Sequence, residues 1–217
     1  MGNRAIVLPK YSNIGVYLHW NGGPESVGAF LEYCKLRGFR SFGGSSMDGY
    51  GLARFVQVVG NFFGGGLSLG IEHCEPTEED AEGLDNGIYV VDGWDIVQRI
   101  GGCDYSDGYD RKEMLQAIDE AQPVGEQLGK DFLNAEVIPI SELKLGDEVY
   151  ILKFDDKIVK HKVVGFAPQG TIKGSRDVSG EPYVDFFEPP FGYAENINNY
   201  VSTYAINGMI RRVRKEE

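Results

Sequence analysis

The chain has 217 residues, 42% of them hydrophobic and 12% aromatic, and its formal net charge is −12. This composition supports a real hydrophobic core and excludes a globally disordered chain, while the length allows one large domain or two small ones. No apolar run approaches the roughly 18–20 residues that span a bilayer, and the N-terminus lacks a signal-peptide pattern, so we expect a soluble, cytoplasmic protein.

The first third of the chain is predicted to contain two strands and two helices. The strands cover residues 5–9 and 14–20, and a glycine turn then leads into a helix that begins at Pro24. Apolar residues at i, i+3, i+4 and i+7 predict one buried face for this helix. The same spacing predicts a second helix over residues 50–63, which the glycine run from Gly64 ends.

The middle third continues the mixture of strands and helices. A strand at residues 67–74 is followed by an acidic stretch, residues 75–86, which is predicted as a loop. An Asp-Gly pair between two apolar runs predicts a hairpin over residues 87–100. A further helix starts at residue 111 and ends before Pro123. Together these elements predict a mixed α+β domain, residues 1–132, whose C-terminal third is acidic.

After Lys130 the pattern changes to short strands with no convincing helix, and residues 133–217 are predicted to form the second domain. Five or six strands in about 80 residues predict a small barrel, since closure of a sheet protects its edges. The stretch ISELKLGDEVYIL resembles the opening of SH3-like barrels, in which a Gly-Asp turn precedes the first long strand. The predicted fold class is therefore α+β, an N-terminal mixed α+β domain followed by a small all-β SH3-like barrel. The predicted strands of this part are residues 136–140, 147–154, 157–167, 182–189, 200–206 and 209–215.

The negative charge is concentrated in the middle of the sequence. From Glu75 to Glu136 there are 17 acidic and 4 basic residues, a balance of −13, whereas the rest of the chain has a balance of +1. Such a field repels nucleic acid and attracts basic protein surfaces. The alternative is a solvated acidic face that only maintains solubility. The candidate binding residues are Glu75, Glu78, Glu79, Asp80, Glu82, Asp85, Asp104, Asp107 and Asp110.

His19 is the single candidate for catalysis. It lies on the same predicted strand face as Tyr17 and is suited to general-base chemistry, but no serine or cysteine nucleophile can be assigned to it from the sequence. The following NGGPES turn lacks the spacing of a phosphate-binding loop, and Glu25 stands where a phosphate would lie. An enzyme or ligand-binding protein with a cleft near His19, Asn21 and Gly22 remains an alternative.

No metal or cofactor is predicted. His73 and the three cysteines, Cys34, Cys74 and Cys103, contain no close CxxC pair of the kind that structural zinc sites normally have. The adjacent His73 and Cys74 point to opposite faces of their predicted strand, so they cannot both bind one metal ion without a bulge. The cysteines are expected to be buried thiols in a reducing compartment. The stretch CDYSDGYD fails the EF-hand register.

The last predicted strand is rich in arginine. Arg211, Arg212 and Arg214 are consistent with an edge strand protected by charge, or with a modest nucleic-acid contact through the barrel. Because the sequence pI is about 4.7, we expect no direct nucleic-acid binding, and a nucleic-acid-binding module stays the weaker alternative.

Five segments in roughly the first 130 residues carry a family resemblance: GNRAIV, GVYLHWNGGPESVGAFLEYC, YGLARFVQVVGNFFGGGLSLGI, DNGIYVVDGWDIVQR and EMLQAIDEAQP. In these segments the chain resembles a family of small uncharacterised proteins encoded by phages, plasmids and conjugative elements of Gram-positive bacteria. The family has no established activity, so the resemblance carries over no catalytic or binding residue. It implies a mobile-element context, in which accessory proteins often counteract host defence.

Charge and resemblance together lead to one expected function. The protein is expected to be a non-enzymatic counter-defence inhibitor, similar to anti-CRISPR proteins, in the cytoplasm of a bacterial host. Its acidic region would bind a basic host protein surface, such as the nucleic-acid channel of a CRISPR effector nuclease.

Overall fold

The chain forms two compact units, Met1–Gly129 and Lys130–Glu217. The boundary predicted from sequence, between residues 132 and 133, falls inside a short helix at the start of the second unit. Helices and strands occur together with two five-stranded sheets, which confirms the α+β class. The computed structural model describes residues 2–43, 49–66, 68–103, 108–152, 157–173, 175–185, 200–203, 205–206 and 208–213.

The described part of the first unit contains five strands and four helices. The strands are β1 (Ala5–Pro9), β2 (Ile14–Leu18), β3 (Leu69–His73), β4 (Ile88–Asp92) and β5 (Asp95–Ile100). The helices are α1 (Pro24–Leu36), α2 (Tyr50–Phe63), α3 (Glu78–Ala81) and α4 (Arg111–Glu120), and a 3-10 turn covers Val124–Glu126.

The predicted helix limits in this unit are confirmed. Pro24 is the first residue of α1, a position where its missing N–H costs no helical hydrogen bond. Helix α2 ends at Phe63, and the capping residue Gly64 has a φ of 62°, in the left-handed region that glycine adopts without strain. The Asp-Gly hairpin is confirmed as the β4–β5 pair.

The strands of the first unit lie in the order β3-β2-β1-β4-β5. Strands β1 and β4 are parallel, with Ile6 opposite Ile88, and the other neighbours are antiparallel. Every residue of β1 is buried, as expected for a central strand that is covered on both faces.

Both faces of this sheet are covered. Helices α1, α2 and α4 pack against one another, and α2 also contacts β3. The register places Ala5, Val7, Val16 and Leu18 on one face, where all four are fully buried. On the opposite face the buried cluster consists of Ile6, Leu8, Cys74, Ala81, Ile88, Val90 and Ile100.

Helix α3 corrects the prediction that residues 75–86 form a loop. The Thr77 side chain accepts a hydrogen bond from the Asp80 amide at 3.2 Å, which caps the first turn of the helix. The acidic residues of that turn complement the positive end of the helix dipole. Ala81 packs on the sheet. Four residues are too few for helical periodicity to be recognised in the sequence.

The second unit is built mainly from strands. It contains helix α5 (Lys130–Leu133) and strands β6 (Glu136–Pro139), β7 (Glu148–Leu152), β8 (Ile158–Phe166), β9 (Ile172–Lys173), β10 (Arg176–Asp177), β11 (Pro182–Val184) and β12 (Met209–Arg212), with 3-10 turns at Ile140–Glu142 and Val201–Thr203. The main sheet has the order β11-β8-β7-β12-β6, all antiparallel, and β9 pairs with β10 separately.

Three expectations for the second unit are wrong. A helix is present, the short α5. Residues 200–206, predicted as a strand, contain the 3-10 turn Val201–Thr203, because Val201 enters the apolar cluster of the sheet instead of following strand alternation. Strand β12 was considered as an edge strand, but it lies between β7 and β6.

Within the described residues, no helix combines the length and apolar character needed to cross a lipid bilayer.

Candidate functional site

The acidic stretch of residues 75–86, here called the acidic segment, connects β3 to β4 across one face of the first sheet. Ala81 and Leu84 point inward and pack on the apolar cluster of that face. Most carboxylates of the segment are exposed, because α3 presents only one side to the sheet. The exposed acidic residues of the segment are Glu75, Glu78, Glu79, Asp80 and Glu82.

Four of these carboxylates form what we call the acidic surface: Glu75, Glu78, Glu79 and Glu82. No basic side chain in the described part of the chain forms an ion pair with any of them. Residues 1–129 contain 19 acidic and 9 basic residues, a balance of −10, whereas residues 130–217 contain 14 and 12. The negative charge of the first unit is therefore uncompensated at this surface.

The charge of the acidic segment affects the pKa of the Cys74 thiol. It is buried under the acidic segment, and its Sγ donates to the Glu75 carbonyl oxygen at 3.4 Å. Burial, together with the negative charges of Asp80, Glu75 and Glu72, raises the pKa of the Cys74 thiol to about 11. Glu72 is exposed on β3 and was not among the residues selected from sequence, although strand alternation places it on the same sheet face as the acidic segment.

Two of the predicted binding residues form hydrogen bonds with other residues of the first unit. Asp80 accepts a hydrogen bond from the Glu75 amide at 2.5 Å. Asp85 is held by the Arg4 guanidinium through two bonds, Nε to Oδ2 at 2.9 Å and Nη2 to Oδ1 at 3.2 Å. The hydrogen bonds from Arg4 lower the pKa of Asp85 to about 2. The negative charge of Asp85 is therefore balanced by the Arg4 guanidinium of the same chain.

Asp110 has a structural role at the start of α4. Its Oδ1 accepts from the amides of Lys112 at 2.9 Å and Glu113 at 3.0 Å, which is the geometry of an N-cap. Asp104 and Asp107 lie outside the described residues.

His19 lies just beyond the end of β2 and is tied to its neighbours. The Tyr17 hydroxyl and His19 Nδ1 share a hydrogen bond of 2.9 Å, and the Trp20 ring stands edge-on at 5.1 Å from the imidazole. Its amide donates to the Ser68 carbonyl and its carbonyl accepts from the Asn3 amide. Among the described residues, no serine, cysteine or carboxylate side chain hydrogen-bonds the imidazole.

The turn after His19 is explained by steric requirements. Asn21 has a φ of 54°, a left-handed conformation that asparagine tolerates, and its Nδ2 donates to Ser26 Oγ at 3.4 Å. A Cβ on Gly22 would lie 2.4 Å from the Asn3 carbonyl oxygen, so only glycine fits. The residues of the proposed cleft are therefore accounted for by a tight corner between β2 and α1.

The structure describes the surroundings of all three cysteines, Cys34, Cys74 and Cys103. Within the described residues, no group of three or more His, Cys, Asp or Glu side chains is placed to hold a metal ion. Cys34 and Cys74 are buried as predicted, but Cys103 is exposed. The prediction fails there because Cys103 follows the Gly101-Gly102 turn, beyond the last buried residue of β5.

The arginines of β12 are used for internal contacts. Arg212 bonds Glu136 at 2.7 Å and the buried Asp147 at 3.3 Å. Arg211 donates to two carbonyl oxygens of α5 and lies over an aromatic ring of that helix. Arg214 lies outside the described residues. Neither described arginine presents a free guanidinium for a phosphate, which weakens the nucleic-acid alternative.

Comparisons of the chain with protein-family models, with curated proteins and with solved structures found no match.

Proposed function

We propose that this protein is a non-enzymatic binding protein whose acidic surface captures a basic surface of another protein. The observation that carries the proposal is the set of four exposed carboxylates without an ion pair among the described residues, in a unit whose charge balance is −10. Charges that have no internal partner are available to an external one, and they raise the rate of encounter with positive surfaces.

The partner class follows from the sign and arrangement of the charge. Proteins that bind nucleic acid expose basic grooves that track phosphates. Several carboxylates on one surface present the same sign of charge, so such grooves are natural targets. The resemblance of the first 130 residues to mobile-element proteins suggests a defence nuclease of a bacterial host, such as a CRISPR effector, as the target. The protein would then act as an anti-CRISPR-like inhibitor in the host cytoplasm.

The expected energetic contribution can be bounded. An exposed ion pair contributes about 0.2–1 kcal/mol, so four pairs contribute about 1–4 kcal/mol to binding. Since 1.4 kcal/mol corresponds to a factor of ten, loss of all four should weaken binding by at least about fivefold. The effect should diminish at high salt, because the Debye length falls from about 10 Å at 0.1 M to about 3 Å at 1 M.

The test compares two variants with the same change in net charge. The first replaces the acidic surface, with Glu75→Gln, Glu78→Gln, Glu79→Gln and Glu82→Gln. The second replaces four exposed glutamates elsewhere, with Glu113→Gln, Glu120→Gln, Glu126→Gln and Glu142→Gln. Binding to purified, nucleic-acid-free CRISPR effector nuclease is measured by interferometry at low and high salt, with and without competing DNA.

The proposal expects wild-type and control variants to bind alike and the acidic-surface variant to bind at least about fivefold more weakly. It also expects DNA to displace the protein. Equal affinity of the two variants, or binding that DNA does not compete, would contradict the proposal.

We further infer that residues 133–217 form a small SH3-like barrel. The antiparallel five-stranded sheet, the apolar cluster that packs on it and the Gly146-Asp147 turn before β7 support this inference. In the described residues, β6 and β11 are the two ends of the sheet, so a barrel requires that they approach each other. Nuclear Overhauser contacts between β6 and β11 would support a barrel, and their absence would indicate an open sheet.

A further inference from the structure

Strand β3 is an edge of the first sheet in the described part of the chain. It pairs with β2 on one side and has no strand on the other among the described residues. The ladder is bounded by two backbone bonds of 2.9 Å, from the His19 amide to the Ser68 carbonyl and from the Cys74 amide to the Asn13 carbonyl. In an antiparallel ladder, hydrogen-bonded and non-hydrogen-bonded pairs alternate. These two bonds therefore determine which backbone groups of β3 face β2.

This alternation directs the backbone N–H and C=O groups of three residues of β3 away from β2. Gly70 and Glu72 bond to β2, so the N–H and C=O groups of Leu69, Ile71 and His73 point away from the sheet. Within the described part of the chain, these outward backbone groups have no hydrogen-bond partner. They form a row of donors and acceptors that matches an added strand.

This edge lacks the features that prevent strand addition at the other edges. The β5 ladder has a register shift, β6 contains Pro139, and β11 contains Pro182 and a register shift of its own. Proline, bulges and lysine are common means by which proteins block an edge. Strand β3 contains no proline, lysine or arginine, and its five pairs with β2 are regular. The regularity and the missing protection distinguish β3 from every other edge of the two main sheets in the described residues.

The exposed side chains of β3 define the chemistry of a matching strand. Ile71 is 56% exposed, on the sheet face that carries Val16. Glu72 is exposed on the opposite face, from which the chain continues directly into the acidic segment. An added strand would therefore meet an apolar side chain on one face and carboxylates on the other.

We propose that the open edge of β3 binds an extended segment of the partner protein in which apolar residues alternate with lysine or arginine. The apolar residue opposite Ile71 covers its exposed side chain, and the basic residues on either side face Glu72 and the acidic segment. Backbone hydrogen bonds to the outward groups of β3 hold the segment in register. The inference rests on the proposed function for the sign of the partner's charge, and it adds the conformation and the sequence pattern of the bound segment.

The experiment uses a short, labelled peptide of alternating lysine and valine as the probe, and fluorescence anisotropy as the readout. A second peptide has the same sequence but carries N-methyl groups on alternate backbone nitrogens, which keeps its charge and removes its edge donors. The protein variants are Ile71→Pro, which removes an outward N–H without breaking the ladder to β2, and Ile71→Thr, which keeps that N–H and reduces the apolar contact. Tryptophan fluorescence confirms that each variant is folded.

We expect the N-methylated peptide to bind wild-type protein at least roughly tenfold more weakly than the unmodified one, and Ile71→Pro to cause a similar loss. Hydrogen exchange of the Ile71 and His73 amides should slow when the unmodified peptide binds. Ile71→Thr should cause a smaller loss than Ile71→Pro.

Equal binding of the two peptides, or no change with Ile71→Pro, would overturn the inference. If the acidic-surface variant still loses affinity in that case, the proposed function survives without the edge. If peptide affinity depends on the edge but is unchanged by the acidic-surface substitutions, the proposed function fails and strand addition at β3 stands. Absence of binding by any peptide would also overturn the inference.

Discussion

Asp119 is a buried carboxylate whose removal should destabilise the first unit strongly. It is 4% exposed and accepts three hydrogen bonds, from the Tyr33 hydroxyl at 2.7 Å, the Leu128 amide at 2.6 Å and the Gly129 amide at 2.9 Å. These bonds join α1 and α4 to the last residues of the unit. Asp119→Ala removes all three acceptor contacts at once.

The magnitude follows from the donors that are left behind. A buried donor without a partner costs about 1–3 kcal/mol, and the Tyr33 hydroxyl and the Leu128 amide are both buried. Since the Gly129 amide is only partly buried, water can replace its partner. We therefore expect Asp119→Ala to reduce the free energy of unfolding by about 3–5 kcal/mol, and Tyr33→Phe, which removes one donor, to reduce it by about 1–2 kcal/mol.

Tryptophan fluorescence during urea unfolding measures this effect in the first unit alone, because both tryptophans, Trp20 and Trp94, lie in that unit. The neighbouring Glu120 is exposed, and Glu120→Ala should change stability by less than about 0.5 kcal/mol. The double variant of Tyr33→Phe with Asp119→Ala should be less destabilised than the sum of the single variants. A loss in Asp119→Ala no larger than that in Glu120→Ala would refute the reasoning.

Two further predictions concern titratable groups. The depressed pKa of Asp85, about 2, means that its pair with Arg4 stabilises the fold above about pH 4 and loses this contribution as the pH falls towards 2. In Arg4→Met, the urea midpoint of unfolding should therefore fall less between about pH 4 and pH 2 than in the wild-type protein. An equal fall in the two proteins would contradict the stabilising role of the Arg4–Asp85 pair. Of the three thiols, Cys103 alone should react rapidly with a disulfide reagent at pH 8, because Cys34 and Cys74 are buried and burial raises the pKa of both. Rapid reaction persisting after Cys103→Ser would show that a buried thiol opens.

Local signals in the sequence were sufficient for most elements of the first unit. Helix α1 follows from Pro24 and four apolar residues at helical spacing, and the β4–β5 hairpin follows from an Asp-Gly turn. Each signal depends on residues that are close together in the chain. The strand order could not be derived in this way, because the parallel pairing of β1 with β4 depends on contacts between distant segments.

The candidate site could be predicted only in part for the same reason. The sequence showed where acidic residues accumulate, but not which of them form ion pairs in the folded chain. Asp85 is bound by Arg4, 81 positions away, whereas Glu78 and Glu79 have no ion pair in the described residues. The sequence also did not reveal that β3 is an edge strand among the described residues, since an edge is defined by the absence of a neighbouring strand and not by composition.

In the two proposals, the acidic surface and the edge of β3 act over different distances, and this difference would separate their kinetic roles. Carboxylate charges act over about 8 Å at physiological salt, whereas backbone hydrogen bonds require contact at about 3 Å. Charge therefore acts before contact, and the edge acts only after a segment has docked. Substitutions in the acidic surface should mainly lower the association rate and its salt dependence, while Ile71→Pro should mainly raise the dissociation rate. The chain runs directly from β3 into the acidic segment, so a partner attracted by the carboxylates would arrive beside the outward backbone groups of β3.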